Sequence, residues 1–301
     1  MTQTASQETH RTTKVAVRGG TLHTAIWGPD DPAAPTVLAV HGVTASHKSW
    51  AYLAEALPDV RIIAPDLRGR GRSNQLPGPY GMTTHAHDLA AVLEDLADGP
   101  LVVVGHSMGG FASLVLADLF PERVRSLVLV DGGLPLRVPA GLSDEEVISS
   151  VLGPAAERLN ATFPSREVYR SFWRQHPAFS ADWGPLVDAY VDYDLTGEEP
   201  ELRPATRYEA MAEDTADLHR GASLLAALDR LTVNTDVLRA PRGLLNEPTA
   251  LYAPGYLESW AAKLPALRVT QVPDVNHYTI IMGQTGAAAV AESVRAALAG
   301  M

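Results

Sequence analysis

The sequence predicts an α/β fold: a mostly parallel central sheet flanked by helices, with a helical insertion. Three observations predict it. Short apolar runs, TVLAV at 36–40, LVVV at 101–104 and VRSLVLV at 124–130, alternate with longer segments of helical spacing. These runs are apolar almost throughout rather than on alternate residues, the pattern of strands buried on both faces. From Leu134 to about Asp229 the alternation stops, and only helical spacing remains.

Bulk composition narrows the function classes. With 301 residues, 46% of them apolar and 20% charged, the chain is one large domain or one domain with an insertion. A formal charge of −11 opposes nucleic acid and anionic membranes as partners. The absence of cysteine excludes disulfides, thiolate metal sites and cysteine nucleophiles. Residues 1–13 read as a disordered lead-in without the apolar core of a signal peptide, and no apolar run approaches a membrane span. The expected location is therefore the cytoplasm, and monomer and homodimer both stay open.

Taken in order, Lys14–Val17 and Thr21–Trp27 flank Gly19-Gly20 and predict an antiparallel hairpin. Thr36–Val40 is a buried strand ending at His41-Gly42, and a helix is expected from Ser49 to Leu57. Val60–Ala64 is the next strand and runs into the glycine-punctuated loop Asp66-Leu67-Arg68-Gly69-Arg70-Gly71-Arg72-Ser73. Thr83–Ala97 has helical spacing with Leu89, Val92, Leu93 and Leu96 on one face. The strand at 101–104 and a helix to Phe120 follow, then Val124–Val130 closing at Asp131-Gly132-Gly133. The insertion, 134–230, carries helical stretches at Asp144–Leu152, Arg166–Gln175, Pro185–Tyr193, Arg207–Ala216 and Ala222–Leu228. It reads as a cap between core segments 14–133 and 231–301. The core resumes with a strand at Asp236–Leu245, a helix at Pro254–Leu264, a strand at Leu267–Val272 and a last helix at Gly286–Leu298.

The chemistry centres on Leu101–Gly110, LVVVGHSMGG, where an apolar strand feeds a helix through a glycine-flanked serine. In that context Gly105-His106-Ser107-Met108-Gly109 is a nucleophile elbow. A tight, strained turn holds the Ser107 hydroxyl above a helix N-terminus. A neutral hydroxyl attacks poorly and needs a base poised near neutral pH, for which histidine is the natural choice.

With His41-Gly42, the Asp66–Ser73 loop, Gly105–Gly110 and Asn276-His277 in this order, the chain resembles the α/β-hydrolase superfamily over about residues 14–299. The wording GHSMGG looks most like esterases, lipases, lactonases and related capped hydrolases. Dehalogenases and epoxide hydrolases of this fold carry aspartate where Ser107 stands. The resemblance implies Ser107 as nucleophile and His277, after the last strand, as general base. It implies an oxyanion hole made by the backbone N–H groups of Val43 and Met108. For the orienting acid the sequence leaves two candidates. The family's commoner acid follows the penultimate strand, but here Ala240–Glu247 offers Asn246, which carries no charge, and then Glu247. Asp131, at the tip of the strand after the elbow helix, is the alternative.

Other residues receive quieter roles. His41 braces the oxyanion loop, and His106 lies beside the pocket. His85, His87 and Asp88 form a solvated helix face rather than a metal cluster. His10, His23, His47, His176 and His219 have no chemical context, while Asp66 and Arg68 lock their loop. Trp173, Trp183, Tyr190, Tyr208 and Tyr278 are the aromatic candidates for substrate binding. The expected activity is hydrolysis of a small-molecule carboxylic ester or lactone through an acyl-enzyme, with no cofactor or metal. A carbon–carbon bond hydrolase or non-hydrolytic lyase or cyclase on the same fold is the alternative. A non-catalytic small-molecule receptor is a third reading from a different class.

Overall fold

The apolar runs become strands at the centre of one sheet. A computed structural model describes residues 10–31, 33–138 and 141–300. In chain order its strands are β1 (Arg11–Val17), β2 (Gly20–Trp27), β3 (Thr36–Val40), β4 (Arg61–Pro65), β5 (Leu101–His106) and β6 (Val124–Val130). They continue with β7 (Leu195–Thr196), β8 (Arg203–Pro204), β9 (Thr235–Arg239) and β10 (Leu267–Gln271). The main sheet has eight strands in the order β1-β2-β4-β3-β5-β6-β9-β10. β1–β2 and β2–β4 pair antiparallel, and every later neighbour is parallel. The α/β expectation holds. β5 is an inner strand whose six residues are all buried, so Ser107 emerges from the middle of the sheet's C-terminal edge.

Helices cover both faces. They are α1 (Ala51–Ala56), α2 (Met82–Leu96), α3 (Met108–Leu119), α4 (Asp144–Asn160), α5 (Arg166–Arg174) and α6 (Pro185–Tyr193). α7 (Tyr208–Arg220), α8 (Ala222–Asp229), α9 (Tyr256–Ala261), α10 (Thr279–Met282) and α11 (Gln284–Ala299) complete the set. Alternate strand residues feed two cores. Leu38, Val40 and Val103 pack with α2 and α3, while Val37, Ala39, Val102 and Val104 pack with α11. Among the described residues, no helix is long and apolar enough to cross a membrane.

Several expectations need correcting. The expected lead-in, 1–13, is too long at its C-terminal end: β1 begins at Arg11, where Arg11–Thr13 pair with Ile26–Thr24; residues 1–9 lie outside the described residues. The ladder extends because each added polar residue still finds a backbone partner on β2. The expected strand Asp236–Leu245 stops at Arg239, since Pro241 has no N–H for a ladder, and only Arg242 keeps a single bridge to Asn276. The region 134–230 is not wholly a cap. Leu224, Ala227 and Leu228 of α8 join the same core cluster as Leu114 and Leu116 of α3. That region also holds a strand pair, β7–β8, invisible to periodicity at two residues each. α4 runs on to Asn160, and its start carries a capping box between Ser143 and Glu146.

Candidate active site

The strand-to-helix turn after β5 behaves as its glycines require. Ser107 has φ 51° and ψ −125°, a strained conformation for a residue with a side chain. Its N–H donates to Val130 O at 3.0 Å, and Gly110 N–H donates back to Ser107 O at 2.9 Å. A methyl group on Gly109 would lie 2.0 Å from Val40 O, so only glycine lets α3 start against β3. The backbone also comes close at Gly42, where a Cβ would stand 3.2 Å from Ser107 Cβ. This approach brings the Val43 turn beside the serine. Met108 opens α3, so its N–H has no carbonyl four residues back within the helix. Val43, Ser107 and His277 line one small cavity of about 40 Å³.

His277 follows β10 and leads into α10. Its Nδ1 lies 2.7 Å from Asp131 Oδ2, and the Asp131 side chain is fully buried. The other carboxylate oxygen accepts Ala240 N–H at 3.1 Å. Asp131 sits at the tip of β6 with φ 45°, a second strained residue beside the elbow. Glu247 lies elsewhere: its Oε2 accepts Leu245 N–H at 2.7 Å, and it lines a larger, adjoining cavity. The structure thus pairs His277 with Asp131, and Glu247 braces its own loop. Asn246 Oδ1 accepts from Arg242 Nε at 2.7 Å and from Asn276 Nδ2 at 3.1 Å.

Supporting histidines bracket the site. His41 accepts Leu67 N–H at Nε2, 2.9 Å away, which leaves Nδ1–H to donate to Gly42 O at 2.8 Å. Both bonds require a neutral ring, and burial pushes its pKa down to about 4. His106 Nε2–H donates to the His277 carbonyl at 2.8 Å. Burial, and then the neighbouring His277, hold His106 well below the ordinary histidine range. It therefore acts as a neutral strut between the elbow and the His277 loop, a role that sequence alone did not single out. The residue's place within the elbow was the available signal.

The substrate candidates separate. Tyr190 and Tyr278 line the Ser107 cavity. Trp173 and Tyr278 line the larger one, of about 280 Å³, and both cavities share walls at Leu152, Ala155, Leu244 and Tyr278. Two candidates do not reach these walls. Tyr208 is 38% exposed at the start of α7, and Trp183 packs on Phe179 with Arg174 over its ring, 5.4 Å from the centroid.

The expected solvated face at 85–88 is also overturned for two residues. His85 is buried against Asp214, with Nε2 2.9 Å from Oδ2, and Asp88 receives a bidentate pair from Arg68 at 2.9 and 2.8 Å. Only His87 is exposed. Helical spacing places these two beneath the Asp66–Ser73 loop, whose partners lie too far along the chain for periodicity to reveal. Among described residues, His23, His47 and Asp66 also cluster. Tyr193 Oη–H and Arg72 N–H donate to that carboxylate at 2.6 and 2.8 Å, holding the loop against α6.

A parallel sheet with a strained serine elbow, a buried histidine–carboxylate pair and a helical cover defines a hydrolase-type scaffold. Residues 35–284 match the alpha/beta hydrolase fold family, so the chain belongs to that family. It is 42% identical over 131 residues to lipase LipV of Mycobacterium tuberculosis, covering 44% of this chain and 48% of that protein. The chain thus spans about half the length of that relative. It is 27% identical over 255 residues to 2-(acetamidomethylene)succinate hydrolase of Mesorhizobium japonicum, covering 81% and 82%. A solved structure of E-2-(acetamidomethylene)succinate hydrolase superposes with a TM-score of 0.76 at 21% identity, covering 96% and 97%, a likeness of fold.

Proposed function

We propose that the protein is a serine hydrolase that cleaves a small-molecule carboxylic ester or lactone through an acyl-enzyme. One observation carries the reading: the buried His277–Asp131 pair, 2.7 Å long, opens onto the cavity that Ser107 lines. In the proposed sequence Ser107 Oγ attacks the carbonyl carbon while His277 Nε2 takes its proton. The carbonyl oxygen becomes an oxyanion held by Val43 N–H and Met108 N–H, each contributing a few kcal/mol. Collapse breaks the bond to the alkoxy oxygen, which leaves as the alcohol with the proton from His277. Water then gives its proton to His277 and attacks the acyl carbon, freeing the acid and Ser107. Asp131 keeps the imidazole in the tautomer with the proton on Nδ1 and stabilises the imidazolium. These steps use no cofactor.

Similarity to a lipase supports the ester reading, and similarity to 2-(acetamidomethylene)succinate hydrolase supports a small, polar substrate as well as a hydrolytic outcome. The direct test is p-nitrophenyl butyrate hydrolysis by wild type, Ser107→Ala, Asp131→Asn and Glu247→Gln. Turnover lost in Ser107→Ala and crippled in Asp131→Asn alone supports the assignment. Equal rates for wild type and Ser107→Ala would overturn it for such esters and favour the lyase or receptor readings.

A further inference from the structure

The larger cavity holds a group that ester cleavage leaves unused. Arg158, on α4, is 3% exposed and lines that cavity beside Trp173. Its Nη1 donates to Tyr169 Oη and to Asp194 Oδ2. The Trp173 ring lies 5.0 Å from the guanidinium carbon. An aromatic ring over the face of a guanidinium leaves its N–H edge unoccupied. Nη2 is indeed buried without a hydrogen-bond partner among the described residues. An unpaired cationic donor in apolar surroundings is costly, so the site gains most from an anionic acceptor.

Besides Tyr278, two other ionisable groups line the same cavity. Burial, and next the charge of Arg158, push His176 down to about 4, so it is neutral near pH 7. Glu247 stands on the loop wall with one oxygen already accepting Leu245 N–H. The cavity therefore has the Arg158 guanidinium on its cap side, where Asp194 already offsets its charge, and a carboxylate on its loop side, with apolar walls such as Leu152, Phe172 and Leu251 between. A monoanion is drawn to the Arg158 end and repelled from the Glu247 end, which orients it.

We propose that this cavity receives the far end of an acyl chain that terminates in a carboxylate, bound by the Arg158 guanidinium that lines it while the scissile carbonyl lies at Ser107. The placement of the carbonyl rests on the serine-hydrolase reading. The substrate class is then a half-ester of a dicarboxylic acid, or a lactone carrying a remote carboxylate, rather than a wholly apolar ester.

The test compares mono-p-nitrophenyl succinate, glutarate and adipate with p-nitrophenyl esters of the neutral acids of equal length. With the whole wild-type chain, the best half-ester is expected to exceed its neutral counterpart in kcat/KM by about tenfold to a hundredfold. The ratio is expected to fall to about one in Arg158→Met and to recover in part in Arg158→Lys, which keeps the charge without the fork. Neutral esters hydrolysed as well as every half-ester would overturn the inference and leave the esterase reading standing. If no ester is hydrolysed, the esterase reading fails instead, and calorimetric titration with glutarate decides separately. Binding of glutarate that weakens in Arg158→Met supports the anion site, and absence of binding by wild type overturns it.

Discussion

Two buried histidine–aspartate pairs lie at strand ends of the same sheet, and their surroundings differ. In one, His277 Nδ1 meets Asp131 at 2.7 Å; in the other, His47 Nδ1 meets Asp66 at 2.8 Å. Neither distance nor burial tells them apart. What differs is access. His277 opens onto the cavity beside Ser107, whereas the His47 ring is enclosed by the rings of Trp27, His23 and Tyr193, 5.6, 5.6 and 4.6 Å away. Asp66 accepts four hydrogen bonds: two from His47, one from Arg72 N–H and one from Tyr193 Oη–H. Burial alone would raise its pKa, but His47 and these bonds more than reverse that and lower it. A histidine–carboxylate pair can serve as a reactive device only where a nucleophile and a cavity adjoin it, which in this fold holds for His277 and not for His47. Elsewhere it joins segments of the fold.

The comparison is broken most severely by exchanging charge for amide in each pair. Asp131→Asn is expected to lower kcat for an activated ester by about 10⁴-fold, through loss of the correct His277 tautomer. Asp66→Asn is expected to lose about 3 kcal/mol of stability in chemical denaturation, while kcat per folded molecule stays within a few-fold. A reversed outcome, with Asp66→Asn inactive but stable, would make the His47 pair the reactive one.

A packing change at the elbow comes next. Gly109→Ala puts a methyl group 2.0 Å from a carbonyl oxygen of β3. It is expected to cost roughly 3 kcal/mol and to reduce soluble yield, read by urea denaturation. Unchanged stability would mean that the contact between α3 and β3 relaxes freely.

pH separates the neutral struts from the pairs. His41 has a folded pKa near 4, below the 6.5 of the unfolded chain, so the unfolded state takes up the proton first. Its contribution is complete above the unfolded value and is lost as pH falls towards the folded one. The wild-type Tm is expected to drop by several degrees between about pH 7 and about pH 4.5. His41→Gln should show a shallower drop, and an identical slope would remove His41 from the cause. The smallest effect is expected from Tyr193→Phe, which deletes the 2.6 Å bond to Asp66 and should cost about 1 kcal/mol.

The extent to which the sequence was legible follows from how local each signal is. The strands at Thr36–Val40 and Val124–Val130, the elbow at Ser107 and the position of His277 after β10 depend on a few neighbouring residues, and these appear where the pattern puts them. The choice between Asp131 and Glu247 could not be made that way. The sequence separation of 146 between Asp131 and His277 is closed only by the order of β6, β9 and β10 in the sheet. The same holds for His85 and Asp88, whose helical spacing says which face they share but not that Asp214 and Arg68 await them there. The cap aromatics show the limit most clearly, since Trp173 and Tyr208 carry equivalent local signals yet one lines a cavity and the other faces solvent.

By itself, then, the sequence determined the α/β class, the order of the elements and the serine turn, because apolar periodicity and glycine sterics act over short stretches of chain. Only the tertiary structure decided which carboxylate meets His277, which histidines are struts and where Arg158 leaves a buried donor open. Those are outcomes of burial and of contacts between distant segments, and neither is encoded within any single stretch.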